Sequence, residues 1–316
     1  MNRIDPEPSL LDEAARAGWL YYVGGLTQDQ IAAQLGVSRQ RAQRLVSRAR
    51  DEGMIHVRLE HKIGACLALE AELVRRFGLS TVRVAPGLGP EADVNRAIAG
   101  PAAQLLESFL RRPEPLIVAL GTGRALRAMV DELTPMEADR HRIVSLIGNI
   151  APNGSASFFD VIMRIADKVR APHYPMPVPV VADTPEERQT FQDLRPVRNV
   201  SALARQADVT FVGVGQMSDD APLLKDGFVT RSQLDEMRAR GARGEIAGWV
   251  YDGEGAYIEA GLNDRVCGVR IDPGRNAPVI AVAAGGPKVA AIRAALRGRI
   301  INGLVTDEAT AAALLA

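Results

Sequence analysis

Little in this chain speaks for a metal, a disulfide framework or a membrane. Its two cysteines, Cys66 and Cys267, stand far apart with no metal-ligand spacing around them. Structural thiols in a reducing compartment are therefore expected. The four histidines, His56, His61, His141 and His173, form no ligand pattern either, so neither a metal nor another cofactor is expected. No apolar run approaches the ~20 residues that span a bilayer. The opening stretch MNRIDPEPSLLDEAARAG lacks the apolar centre of a signal peptide. A cytoplasmic protein with no membrane partner follows. Net charge is also missing, with 38 Lys and Arg against 38 Asp and Glu, which disfavours a non-specific polyanion binder. What remains is a chain of 316 residues, 47% hydrophobic with 4% aromatics. That is enough for a small domain and one of roughly 250 residues.

The most informative stretch is GLTQDQIAAQLGVSRQRAQRLVSRARDEG, Gly25 to Gly53. Thr27 and Gln30 have capping-box spacing, and Ile31, Ala32 and Leu35 give the helix that follows an apolar face. Gly36 ends it, and Ser38 is a good cap for a second helix. There Ala42, Leu45, Val46 and Ala49 recur at helical spacing and face a core. Arg39, Gln40, Gln43, Arg44 and Ser47 point outward. Five arginines and no acid lie between Ser38 and Arg50. Arg and Gln on the first turns of a second helix suit the major groove, where Arg pairs with guanine edges and Gln with adenine. An amphipathic basic helix is often only a solvated surface. The coincidence of capping box, glycine turn, second cap and acid-free face favours a helix-turn-helix instead. Its candidate DNA-binding residues are Thr27, Ser38, Arg39, Gln40, Arg41, Gln43, Arg44, Ser47 and Arg48, and its partner is double-stranded operator DNA.

Leu10 to Val23 reads as a helix packing on this motif, with Trp19 and Leu20 inward. Alternation over Met54–Leu59 reads as a short strand, the wing of a winged helix. The apolar stripe of Leu67–Phe77 is either core packing or a seam between subunits. From about Ser80 short apolar strands alternate with helices. The strands are expected at Thr81–Val84, Leu116–Leu120, Arg142–Ile147, Val178–Val181, Val209–Val212 and Val279–Ala283. Helices are expected at Ala92–Leu110, Gly123–Glu132, Phe158–Val169, Glu186–Asp193 and Lys288–Leu296. Such a rhythm indicates an α/β fold with a doubly wound parallel sheet. Pro172, Pro175, Pro177 and Pro179 read as a rigid lead-in to a strand. The expected domains are residues 1–62, a helix-turn-helix domain, and 63–316, an effector and oligomerisation domain.

Three expected strands run into glycine-rich loops: Gly121-Thr122-Gly123-Arg124, Gly213-Val214-Gly215 and Gly285-Gly286-Pro287-Lys288. In open α/β sheets ligands bind at the carboxyl ends of strands near a switch point. Glycine admits backbone N–H groups close to an anion, and Thr122, Arg124 and Lys288 add donors. Each loop alone is weak, since GxG between a strand and a helix is often only tight packing. The dinucleotide fingerprint fails at Leu126, and a GxxxxGK[ST] loop is absent. A small phosphorylated metabolite is preferred to a nucleotide.

GLTQDQIAAQLGVSR, IVALGTGRAL, SLIGNIAP, ADVTFVGVGQM, GARGEIAGWVYDGEG, DRVCGV and AAGGPKVAAIRAALRGRIINGLVTDEATA carry a resemblance. Together they resemble the SorC family of sugar-responsive bacterial regulators, often grouped as DeoR-like, from about Leu10 to the C-terminus. The resemblance implies an effector domain similar to glucosamine-6-phosphate deaminase and ribose-5-phosphate isomerase. It also implies homodimers or homotetramers on palindromic operators, controlled by a sugar, polyol or sugar phosphate. By position, Gly121, Thr122, Gly123, Arg124, Gly213, Gly215 and Lys288 fall on the family's phosphate-binding loops, and Asn149 and Glu245 near the sugar hydroxyls. The recognition helix departs from many relatives, with Ala42 and Gln43 in place of a Val-Ser pair, so an operator sequence does not transfer.

The rival reading is a sugar-phosphate isomerase or deaminase with an attached DNA-binding domain. That chemistry needs a general base and a proton shuttle over the sugar. Here Gln216-Met217-Ser218-Asp219-Asp220 follows the GVG loop without a histidine, and neither Asp219 nor Asp220 has an evident partner. No catalytic residue is assigned.

Overall fold

The structure, a computed structural model, describes residues 10–55, 63–89, 92–151, 154–155 and 161–316. The chain divides into two compact units, Met1–Glu60 and His61–Ala316.

In the first unit three helices, α1 (Leu10–Tyr22), α2 (Gln28–Leu35) and α3 (Arg39–Asp51), surround a small core. The capping box is formed: Gln30 Oε1 accepts from Thr27 N at 2.8 Å, and Thr27 Oγ1 from Gln30 N at 3.4 Å. Gly36 closes α2 in the left-handed region at φ 66°, which a residue without Cβ adopts without strain. Ser38 Oγ then accepts from Arg41 N at 3.2 Å and opens α3. Ala42, Leu45, Val46 and Ala49 are all buried. The face of α1 that meets them is Ala14, Ala17 and Gly18, and a Cβ on Gly18 would lie 2.8 Å from that of Ala49. Trp19 does not face inward: it is 63% exposed, and only Leu20 packs partly on the core. One helical step from Gly18 turns a side chain by about 100°, and the approach of α1 to α3 leaves room only for small residues. Of the expected wing, Met54 and Ile55 are not in a strand, and residues 56–59 lie outside the described residues.

The second unit opens with α4 (Gly64–Phe77) and builds a seven-stranded sheet. Its strands are β1 (Thr81–Ala85), β2 (Ile117–Leu120), β3 (Arg142–Ile150), β4 (His173–Pro179), β5 (Val209–Val212), β6 (Val279–Val282) and β7 (Gly303–Asp307). They lie in the order β1-β7-β6-β5-β2-β3-β4, all parallel. Residues of β5, β6 and β7 are buried throughout, as a sheet covered on both faces requires. Alternate side chains feed two cores. Val118, Leu120, Phe211, Ile280 and Val305 meet α5 (Val94–Leu110) and α6 (Arg124–Asp131). Ala119, Val212, Ala281 and Leu304 face α4 and the helices Arg195–Arg205, Val289–Arg297 and Glu308–Leu315. In α4, Cys66 and Leu73 belong to this core while Leu67 and Val74 stay exposed.

Two expectations need correction. The strand placed at Val178–Val181 begins earlier, and Pro175, Pro177 and Pro179 lie within β4 instead of leading into it. Because β4 is the sheet's last strand, residues of one parity turn their ring nitrogens to the open edge, where no ladder bond is lost. Val180, of the other parity, donates to Ile150 O at 3.2 Å. The strand β7 was not expected at all, yet it separates β1 from β6. A third core, including Met217, Leu223, Leu234, Met237, Trp249 and Val266, forms a lobe around the small antiparallel sheet of Gly215–Gln216, Gly244–Ile246 and Trp249–Tyr251.

Candidate functional site

On α3 every candidate DNA-contacting side chain is exposed except Ser47, which is half-buried. Four of the five arginines meet carboxylates: Arg39 with Asp29 at 3.4 Å, Arg41 with Glu13 at 2.8 Å, Arg48 with Glu52 at 3.4 Å and Arg50 with Asp51 at 3.2 Å. Arg44 alone has no carboxylate partner among the described residues; its Nε reaches Gln40 O at 3.4 Å. Exposed pairs contribute little, but the pattern separates Arg44 from its neighbours. Thr27 and Ser38 act first as helix caps.

In the second unit the chain runs from β2 outward to β3 and β4, then returns to place β5 on the other side of β2 and continues to β6. The switch point lies between β2 and β5. Their carboxyl ends carry Gly121–Arg124 and Gly213–Gly215, so sheet order makes these two glycine loops neighbours. The loops touch: Gly121 N donates to Phe211 O at 2.8 Å, and a Cβ on Gly213 would stand 3.2 Å from Thr122 O. Gly123 caps α6 at φ 119°, a conformation side chains rarely adopt. The loop after β6 follows on the same edge. There Gly285, at φ 110°, donates its N–H to Thr310 Oγ1 at 2.7 Å, and Lys288 closes a short turn into the next helix. Asn149 is half-buried near the end of β3.

Glu245 arrives from the small antiparallel sheet. Ala247 and Gly248, at φ 52° and 83°, form the two-residue turn between its paired strands. Glu245 Oε2 accepts from Gly248 N at 2.8 Å. Its carboxylate covers Gly215 so closely that a Cβ there would collide with Oε1. Burial pushes the Glu245 carboxyl up, against the Gly248 hydrogen bond and Lys288. Burial pushes the Lys288 ammonium down, helped by Arg124 and opposed by Glu245. Arg124 is held by Asp226, with Nη2 and Nη1 at 2.7 and 3.2 Å from its two carboxylate oxygens. The structure thus gathers Arg124, Glu245 and Lys288 from three distant stretches. It adds Asp226, which no motif in the sequence singles out. Gly215 carries the only sequence signal of the Glu245 contact, and it reads equally as tight packing.

The residues offered for enzymatic chemistry are otherwise occupied. Asp219 meets Arg238 at 2.8 Å and Arg231 at 3.1 Å, and these, Arg238 foremost, hold its carboxyl below the usual range. That makes it a poor proton acceptor. Asp220 pairs with Lys225 at 2.8 Å. His141 is buried, its Nδ1 accepting from Leu116 N at 3.1 Å and its Nε2 lying 2.9 Å from Leu110 O, a structural role. Among the described residues no cluster of His, Cys, Asp and Glu could hold a metal, and no helix is long and apolar enough to cross a membrane. Cys66 and Cys267 are buried free thiols whose pKa values burial raises to about 11.

Comparison with known proteins decides the family. Residues 61–316 match the Sugar-bind family model, which describes a sugar-binding domain, and residues 17–61 match the MarR family. The chain is 33% identical over 302 residues to the erythritol catabolism regulatory protein EryD of Brucella abortus, covering 96% of each. The chain belongs to the SorC family. It is 32% identical over 308 residues to the transcriptional regulator LsrR of Enterobacter sp. strain 638, covering 96% of this chain and 92% of that one. The full-length sorbitol operon regulator SorC from Klebsiella pneumoniae has the same fold, with a TM-score of 0.72 and 27% identity over 97% of this chain and 99% of that chain. A SorC-family member built this way is a transcriptional regulator with a helix-turn-helix and a sugar-binding α/β domain, and not an enzyme.

Proposed function

We propose that α3 reads the operator directly and that the pocket at the β2–β5 switch point binds the effector. The DNA-binding domain is residues 1–62, and residues 63–316 form the effector and oligomerisation domain. Arg44 contacts a base edge, with Arg39, Gln40, Gln43 and Ser47 beside it; Arg41 and Arg48 meet phosphate, and Thr27 and Ser38 set the helix ends. What supports this most is Arg44, which projects from the exposed face of α3 with no carboxylate among the described residues to hold it. Gly121, Thr122, Gly123, Arg124, Gly213, Gly215 and Lys288 surround the effector, with Glu245 and Asn149 toward its hydroxyls. EryD is named for erythritol catabolism and SorC for the sorbitol operon. By likeness to them, this regulator controls a carbohydrate or polyol catabolic operon in the cytoplasm, as a homodimer or homotetramer, through a sugar, polyol or sugar phosphate.

Gel shifts on the full chain test the DNA half. Arg44→Ala is expected to lose about 1–3 kcal/mol of operator affinity and to relax specificity at one position per half-site. Unchanged affinity and specificity would remove α3 from the major groove.

A further inference from the structure

At the switch point each of the two cations, Arg124 and Lys288, has a carboxylate near it. Arg124 is engaged by both carboxylate oxygens of Asp226, and the half-buried Lys288 and Glu245 lie close enough for their charges to act on each other. Among the described residues a phosphate dianion entering here gains the whole of Arg124 only by breaking the Arg124–Asp226 pair, which leaves Asp226 unpaired beside it. A neutral ligand enters without disturbing either pair.

Gln216 follows Gly215 directly and pairs across the small sheet with Gly244, and the strand Gly215–Gln216 runs beside the Gly286–Lys288 turn. Its Nε2 donates to Asp220 O at 3.3 Å, which sets the amide's orientation. Its Oε1 is buried and has no hydrogen-bond partner among the described residues. A buried acceptor without a donor is costly, and such atoms are scarce in native proteins. What this one lacks is a donor. A ligand hydroxyl supplies one, and esterifying a hydroxyl as an ionised phosphate removes that donor while leaving the others.

We propose that this pocket takes an uncharged polyhydroxylated ligand, a polyol or free sugar, in preference to a phosphate ester, and that Gln216 Oε1 accepts a hydrogen bond from one of its hydroxyls. The proposal rests on the assignment of the pocket as the effector site. Gln216 is then a specificity-determining residue, holding one hydroxyl while Glu245 offers a second acceptor.

Thermal shift and calorimetry on the full chain test it. The probes are four- to six-carbon polyols and sugars and their monophosphate esters. The proteins are wild type, Gln216→Met, Gln216→Glu, Asp226→Asn and Lys288→Ala. Wild type is expected to bind its best polyol or sugar about tenfold more tightly than the matching phosphate. Gln216→Met should weaken that ligand by about tenfold, as loss of one buried hydrogen bond implies. Its melting temperature without ligand should not fall, because the orphaned acceptor is gone. Gln216→Glu keeps the acceptor but sets its second oxygen against Asp220 O, so it should bind more tightly than Gln216→Met and less tightly than wild type. Asp226→Asn, which frees Arg124 of a charge, should shift preference toward the phosphates. Tighter binding of the phosphates by wild type, a Gln216→Met protein that binds as wild type does, or no response to any polyol or sugar overturns the proposal. A Lys288→Ala protein that keeps full affinity overturns the site assignment itself, whatever the ligand's charge.

Discussion

Glu245 shows how much of the candidate site depends on one side chain. It fastens its own hairpin turn through Gly248, packs directly over Gly215, where a Cβ would displace it, and feels the charge of Lys288. Burial raises its carboxyl above the ordinary 4.5. Above that pH the unfolded chain has released a proton that the folded chain still holds, so stability falls as pH climbs toward the folded value. Lys288 works the other way. Its folded pKa lies below 10.5, so stability rises with pH from that depressed value toward 10.5. Glu245→Gln is therefore expected to flatten the decline in melting temperature above pH 4.5 relative to wild type. Parallel melting curves for the two proteins across that range would show that Glu245 is not titrating in a buried position.

At the level of elements, α3 is the part most exposed to test. Arg50 lies on its last turn, away from the end proposed to meet base edges, and its ion-pair partner among the described residues is the exposed neighbour Asp51. Arg50→Ala should weaken binding to all sequences alike and reduce the slope of affinity against salt by about one counterion. A loss confined to the operator would make it a base reader instead. The helix-turn-helix was legible because its signals are local: caps act over three residues and apolar positions recur at helical period. The strands β2, β5 and β6 were legible for a similar reason, as buried β-branched runs bounded by glycine. The prolines of β4 were misread because edge position is a property of the whole sheet. β7 escaped notice because Gly303-Leu304-Val305-Thr306-Asp307 takes its strand character from β1 and β6 on either side. Trp19 was placed inward on its residue type, whereas the α1–α3 contact admits only Ala and Gly. In the pocket, the loops could be read but their partners could not. Asp226 lies 102 residues from Arg124, and nothing near either one announces the pair.

The whole molecule must join DNA binding to ligand binding. A single helix-turn-helix reads few base pairs, and specific recognition commonly uses two-fold symmetry. On α4, Leu67 and Val74 remain exposed, and on α1 so does Trp19. Light scattering at micromolar concentration is expected to give a dimer or tetramer without DNA. A monomer with and without effector would contradict a symmetric operator complex.

The coupling itself is a difference in ligand affinity between two states of the protein, and no ligand shifts the balance by more than that difference. The groups proposed to meet the ligand sit on separate strand ends, Gly121–Arg124 after β2 and Lys288 after β6, so a ligand touching both would bias their spacing. The most direct measurement is operator affinity of the full chain by fluorescence anisotropy, with and without the ligand that best stabilises wild type, repeated for Lys288→Ala. Wild type should change operator affinity roughly 5- to 150-fold on adding ligand, the range typical of allosteric coupling, and Lys288→Ala should show no change. An equal ligand effect in both proteins would contradict the account, because the signal would then arise outside this pocket.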